Sequence, residues 1–190
     1  MLKDSPEYIR FENHEAYCRK LRSPTKIEST STTSLDLGCG ENIKNPFEAD
    51  FVFGVDIFTS LNSNVLAADL SIEKIPFESE HFDFVTAHDF IEHVPRVAHI
   101  SSQTIFPFVS LMSEIYRVLK PNGFFLSVTP AFPFSIAFTD PTHTNFINEH
   151  TFRNYFSGQL IAKIYGFNGK FEVVRQGWRG RYLITILRKI

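Results

Sequence analysis

An α/β domain with a mainly parallel sheet, doubly wound with helices on its faces, is predicted by three observations. Short apolar or β-branched runs recur from Leu35 onward, turn residues separate them, and a helical stretch lies between two consecutive runs. The runs are Leu35–Leu37, Phe51–Val55, Val65–Ala67, Phe82–Ala87, Phe124–Val128, Phe171–Val174 and Tyr182–Leu187, seven strand candidates. Between the fourth and fifth, Ile105, Phe108, Met112, Ile115 and Leu119 recur at helical spacing, and Lys120-Pro121-Asn122-Gly123 stops that helix and turns the chain into the next strand. Pro107 falls near the helix start, where its missing N–H costs little, or kinks the first turn. A further helix is expected after Asn148 or Thr151, with Phe152, Tyr155 and Phe156 inward. Upstream, residues 5–22 mix charge with Tyr8, Ile9, Phe11, Tyr17 and Leu21, a spacing compatible with a partly amphipathic helix. The polar run Ser29–Ser34 reads as a linker, because such side chains compete for backbone hydrogen bonds. The chain therefore divides into an N-terminal helical and linker segment, 1–33, able to act as a lid, and an α/β domain, 34–190.

Composition narrows the function. The 190 residues carry 19 Lys and Arg against 21 Asp and Glu, a net charge of −2, so there is no basic excess for a phosphate backbone or an anionic membrane. A nucleic-acid partner is disfavoured. Hydrophobic residues make up 43% of the chain, enough for a core, yet no apolar run approaches the ~20 residues of a membrane span. The first residues lack an apolar signal region, and Cys18 and Cys39 make no disulfide framework. A cytoplasmic, reducing location is expected. No His pair has His-Glu-x-x-His spacing, and neither cysteine stands at a zinc-finger interval from a histidine, so no metal is expected.

Ligands of parallel sheets bind beyond the carboxyl ends of the strands, so the chemistry is sought in the loops after each run. The first run ends Asp36-Leu37-Gly38-Cys39-Gly40, where two glycines let the backbone turn sharply and approach a ligand. The third glycine of a dinucleotide fingerprint would fall at Ile43, which disfavours a nicotinamide cofactor. The second run ends in Asp56, placed to accept hydrogen bonds from two ribose hydroxyls, with Ile57 beside it. The third leads to Asp69-Leu70, where a carboxylate could take an exocyclic amino group while apolar neighbours sandwich the ring. Each aspartate alone could equally be a turn former or helix cap. Together they describe an adenosine site without a phosphate cradle.

In this order and spacing the motifs resemble those of class I S-adenosylmethionine-dependent methyltransferases, in particular small bacterial members of the type 11 and type 23 groups. Ile75-Pro76-Phe77 followed by His81-Phe82-Asp83-Phe84-Val85 resembles the family's approach to the fourth strand, and Glu114-Ile115-Tyr116-Arg117-Val118-Leu119-Lys120-Pro121-Asn122-Gly123 its helix and turn before the fifth. The resemblance runs from about Leu35 to Pro130 and implies a seven-stranded sheet of order 3-2-1-4-5-7-6 with the seventh strand antiparallel. It also implies S-adenosylmethionine as cofactor, converted to S-adenosylhomocysteine and held by Asp36, Gly38, Cys39, Gly40, Asp56, Ile57, Asp69 and Leu70, with His88 lining it. One departure is evident: ten residues including Asn45-Pro46 separate Gly40 from Phe51, so the helix after the first strand must be short or missing.

Methyl transfer from a sulfonium demands alignment and a deprotonated acceptor, which directs attention to bases. Ala87-His88-Asp89-Phe90-Ile91-Glu92-His93-Val94-Pro95 offers Asp89 and His93, although Asp89 and Glu92 could instead form a capping box. Asp140-Pro141-Thr142-His143-Thr144-Asn145-Phe146 resembles a loop of bacterial methyltransferases, often ones linked to sugars or surface polysaccharides; His143 there is a base candidate or a tie between loop and sheet. The preceding Pro130–Phe138 stretch could form an apolar wall or lid, most of its Phe being core. The expected function is methyl transfer to a small-molecule acceptor, a hydroxyl by preference. The alternatives are a catalytically silent cofactor-binding subunit acting through a protein partner, or an RNA or protein methyltransferase. A homodimer is also compatible with the sequence.

Overall fold

The computed structural model describes residues 10–22 and 31–190; the expected helix start at 5–9, residues 29 and 30 of the polar run and the rest of 1–33 outside 10–22 and 31–33 lie outside the described residues. Nine strands follow in chain order: β1 Thr33–Leu37, β2 Phe51–Asp56, β3 Val65–Ala67, β4 Phe82–His88, β5 Ala98–Ile100, β6 Gln103–Ile105, β7 Leu119–Pro130, β8 Phe171–Arg179 and β9 Tyr182–Lys189. Three helices are α1 His14–Arg22, α2 Pro107–Val118 and α3 Glu149–Phe152. Seven strands form one sheet in the order β3-β2-β1-β4-β7-β9-β8. Leaving out the small β5–β6 hairpin, this is the expected 3-2-1-4-5-7-6, and β9 is antiparallel to both β7 and β8. Thr33 and Ser34 open β1, in register with Phe51 and Val52 of β2, so the end of the polar run is strand and not linker.

Period-two alternation in the central strands separates two cores. One face carries Val85, Phe125, Leu183 and Leu187 and packs against α2, α3 and the segment after it. The other carries Phe84, Leu126, Val128, Ile184 and Ile186, and is covered by Phe11, by Cys18 of α1 and by Phe47. No helix occupies residues 38–50. Phe47 takes over its packing role, fully buried and stacked on Phe84 with centroids 4.3 Å apart. Asn45 closes that loop by exchanging two side-chain bonds with the backbone of Ala49.

The helix α2 begins with Pro107 in its first turn and buries Phe108, Leu111, Met112, Ile115 and Val118; Ile105 belongs to the hairpin and Leu119 to β7. Its Arg117 donates to Glu114 and to the carbonyls of Ile75 and Phe77, while Ile75 N donates back to Glu114. That clamp explains why Ile75-Pro76-Phe77 and Glu114-x-x-Arg117 belong together. Asp83 similarly ties the start of β1, through Thr33 N, to Lys120 ahead of the turn at Asn122. Asn148 and Thr151 form a capping box at α3, as residues of those types favour.

Candidate active site at the carboxyl edge of the sheet

The loops after β1, β2 and β3 converge through backbone bonds to carboxylates. Gly38 N donates to Val55 O at 2.8 Å, and Gly40 N donates to Asp56 Oδ2 at 2.8 Å. Gly38 has φ +65°, and a Cβ there would lie 2.4 Å from Phe90 Cδ2, so both backbone and neighbour demand glycine. Asp56 Oδ1 accepts from Phe58 N; a carboxylate has about four acceptor positions, which leaves capacity for a ligand. Asp69 Oδ1 accepts from Ser71 N, so this residue does build a turn, as the simpler reading of it had it.

A cavity of about 340 Å³ opens between these loops, within the size range of small-molecule sites. Gly38, Asp56, Ile57, Asp69 and Leu70 line one side; Asp89, Phe90, His93 and Val94 line the other. Several predicted residues stand elsewhere. Asp36 is buried and accepts from Thr86 Oγ1 at 2.7 Å and from Lys44 N at 2.8 Å, so it anchors the glycine loop from below. Cys39 points into the space left by the absent side chain of Gly54, whose Cβ would come within 2.5 Å of its sulfur. Burial, then the charges of Asp36 and Asp56, pushes the Cys39 thiol up to about 11, so it is unreactive near neutrality. Gly40 is exposed and does not line this cavity.

His88 opens instead onto a neighbouring cavity of about 450 Å³, shared with His14, Lys44 and Arg179. Its Nδ1 lies 3.7 Å from Asp36 Oδ1 and makes no hydrogen bond. Asp89, at φ +51°, lines both cavities and is the hinge between them. The turn Ile91–His93 is a single turn of 3-10 helix with no side-chain cap, so the expected capping box is absent. Pro95 keeps the turn too short to need one.

Glu92 has another use. It is buried, Oε2 accepts from Thr129 Oγ1 at 2.9 Å, and Oε1 has no partner. Burial, reinforced by the charge of Asp89 and opposed by bonds from the backbone and Thr129, pushes its carboxyl up to about 7. Loop 139–147 is stitched over this turn: Asn145 N donates to Glu92 O, Asn145 Nδ2 to Ile91 O, and Arg96 donates to Asn145 Oδ1 and Phe146 O. The stitching brings His143 edge-on to His93, with ring centroids 4.8 Å apart. His143 also bonds through Nδ1 to Ala137 O, so it ties loop to loop; it meets His93 but does not itself line the cavity. In the preceding stretch Phe132 and Phe138 are exposed, contrary to the core role expected for most of these rings, while Phe134 packs on Trp178.

His14, Lys44 and Arg179 arrive at these cavities by tertiary packing with no local pattern, whereas Phe90 and Val94 lie within the segment after β4 already singled out, without a polar group to mark them. Tyr182 also reaches Asp89, and its phenol is held up by burial and then by the charges of Asp89 and Glu92. A separate cavity of about 410 Å³, walled by Phe106, Tyr155 and Tyr165, shares no residue with the glycine loop.

The family described as a methyltransferase domain matches residues 35–127. Sequence comparison with curated proteins found no match. Among solved structures, an S-adenosylmethionine-dependent methyltransferase from Archaeoglobus fulgidus is 18% identical over 92% of this chain and 94% of its own, with a TM-score of 0.54. The PH0226 protein of Pyrococcus horikoshii is 20% identical over 99% and 97%, TM-score 0.57. A Haloferax volcanii complex between the Trm112 methyltransferase activator and a methyltransferase gives 14% identity over 95% and 98%, TM-score 0.55. Likeness at these identities establishes the fold, a seven-stranded α/β sheet with an antiparallel last strand. Residues 35–127 match a methyltransferase domain, and the chain has the fold of these S-adenosylmethionine-dependent methyltransferases. The matched domain marks the protein as a methyltransferase enzyme. No helix among the described residues is long and apolar enough to cross a membrane.

Proposed function

We propose that the enzyme methylates a hydroxyl of a small-molecule acceptor, with the cofactor in the cavity between the glycine loop and the Asp89–Val94 segment. The observation that carries this reading is the convergence of Gly38, Asp56 and Asp69 on one cavity whose opposite wall bears Asp89 and His93. S-adenosylmethionine, when bound, would supply a methyl group on a cationic sulfur that takes the electron pair of the carbon–sulfur bond as the acceptor oxygen gains the methyl. Asp56 would take the ribose hydroxyls and Asp69 the amino edge of adenine, with Ile57 and Leu70 flanking the ring. Asp36 is a positioning residue, acting through Lys44 N and Thr86. The bare Gly38 backbone and Phe90 form the cradle that a side chain at position 38 would fill. Asp89 draws the proton from the acceptor, on a wall that it shares with His93 and behind which His143 stands edge-on.

Calorimetry with S-adenosylhomocysteine, and incubation of hydroxyl-bearing compounds with methyl-labelled S-adenosylmethionine, test the reading. Saturable binding, weakened about tenfold or more in Asp56→Ala, and label on oxygen are the expected results. Label found only on nitrogen, or on RNA or protein, would overturn the acceptor assignment. Binding without any labelled product would favour a silent subunit.

A further inference from the structure

We infer that Glu92, His93 and His143 form a binding site for one divalent transition-metal ion of the zinc class, at the wall of the candidate active site. One ligand atom from each of the three lies within 4.8 Å of the other two. Two imidazoles and one carboxylate are a donor set suited to zinc, iron or cobalt, and leave coordination positions open for an oxygen ligand.

The hydrogen bonds around the set select the metal-competent form of each histidine. Thr142 Oγ1 is 2.6 Å from Asp140 Oδ1, and the same oxygen accepts from Thr142 N. Those two bonds hold the Asp140 carboxyl below its ordinary range, so it is an ionised acceptor and the Thr142 hydroxyl hydrogen points to it. The Thr142 oxygen, 2.9 Å from His93 Nδ1, must then accept from that nitrogen. His143 Nδ1 faces the carbonyl of Ala137 at 3.3 Å, which can only accept. Both Nδ1 atoms thus carry the proton, and both Nε2 atoms present a lone pair. A carboxylate-hydroxyl-imidazole chain and a carbonyl-imidazole pair are the outer partners that metal-bound histidines have.

The independent observation is Glu92 itself. It is 1% exposed, its Oε2 is engaged by Thr129, its Oε1 is buried with no hydrogen-bond partner, and its carboxylate is the one that comes within 4.8 Å of both histidines' ligand atoms. A buried, unpartnered carboxylate oxygen is costly, and a cation bound there would satisfy it. Separation in the sequence, His93 to His143, is why spacing arguments did not reveal the set. The site's existence does not depend on the methyl-transfer reading; its role rests on that reading, and would be to bind and acidify the acceptor hydroxyl, whose proton would pass to Asp89 on the same wall.

The test uses the full, tag-free chain stripped with chelator. Titration with zinc and, separately, the visible spectrum after cobalt addition should give one site per chain. His143→Ala should weaken zinc binding by about tenfold or more. Thr142→Val, which touches no metal ligand directly except His93 through its hydrogen bond, should weaken it by about 10- to 100-fold. Thermal melting checks that both variants fold. The inference is overturned if the unaltered chain takes up no more zinc or cobalt than a His93→Ala/His143→Ala variant, or if His143→Ala, folded, binds zinc as tightly as the parent. S-adenosylhomocysteine titrated into the metal-free parent separates the two ideas: its binding with no metal uptake sinks the metal site alone, and metal uptake without its binding sinks the cofactor placement alone.

Discussion

At Gly38 two constraints coincide on one atom that is not there. The residue sits at φ +65°, and the Phe90 ring fills the volume a Cβ would need. Left-handed backbone costs a non-glycine residue about 1–2 kcal/mol, and displacing Phe90 would deform the cofactor cavity as well. Gly38→Ala should therefore lower stability by at least about 1 kcal/mol and weaken S-adenosylhomocysteine binding together. In the Gly38→Ala/Phe90→Ala pair the backbone cost should persist while the displacement of the ring is gone. Denaturant melts and calorimetry on the three chains check this; a single variant with parental stability would refute it. This residue was legible because a glycine after a strand has a local cause. So were Asp69, which builds its own turn, and Asp56, which builds its own turn and also accepts from Gly40 of the glycine loop. Glu92 was not: its burial and its bond to Thr129 span 37 positions, and its short-range neighbours suggested a helix cap.

At the scale of elements, the departure visible in the sequence, ten residues where a helix is expected, has a specific structural replacement. The loop 41–50 contributes one ring, Phe47, and α1 from upstream covers the rest of that face with Cys18, while Arg22 at its end pairs with Asp50 at 2.7 Å. Truncating a fully buried, stacked phenylalanine typically costs about 3–5 kcal/mol. Phe47→Ala should fall in that range by denaturant unfolding, and should also loosen the glycine loop, since Lys44 N of the same loop is bonded to Asp36. A loss below about 1 kcal/mol would show that α1 and the sheet pack without this ring. The seven sheet strands could be read because buried parallel strands are continuous apolar runs. The β5–β6 hairpin could not. Its turn places Ser101 and Ser102 at φ +48° and +66°, a conformation usually announced by Asn or Gly, and its strands are exposed and mixed in character. The start of β7 escaped for the opposite reason, since Lys120-Pro121-Asn122-Gly123 carries turn residues within a strand whose register shifts beside β4.

Over the whole molecule, His14 joins parts that are distant in the chain. It belongs to α1, yet it is buried against His88 of β4, with Arg179 at the end of β8 and Glu15 on its own helix as the charges nearby. Burial first, then Arg179 and His88, lowers its pKa from 6.5 to about 4, and Glu15 opposes the shift weakly. Its Nδ1 makes no hydrogen bond, so only the charge of Glu15 favours the protonated ring. The sign follows directly. Between pH 6.5 and about 4 the unfolded chain takes up a proton at His14 that the folded chain refuses, so stability is complete above pH 6.5 and is lost as the pH falls through that window. The slope is about 1.4 kcal/mol per pH unit, and the total is at most about 3 kcal/mol. Carboxylates also titrate toward the acid end, so the measurement is a difference: denaturant stability of the parent minus that of His14→Phe, which keeps a buried ring and removes the proton site. That difference should decline steadily on acidification from pH 6.5 and level off near pH 4, the docking of α1 onto the sheet weakening with it. Parallel stability curves for the two chains would mean that His14 is as easily protonated in the folded protein as in the unfolded one.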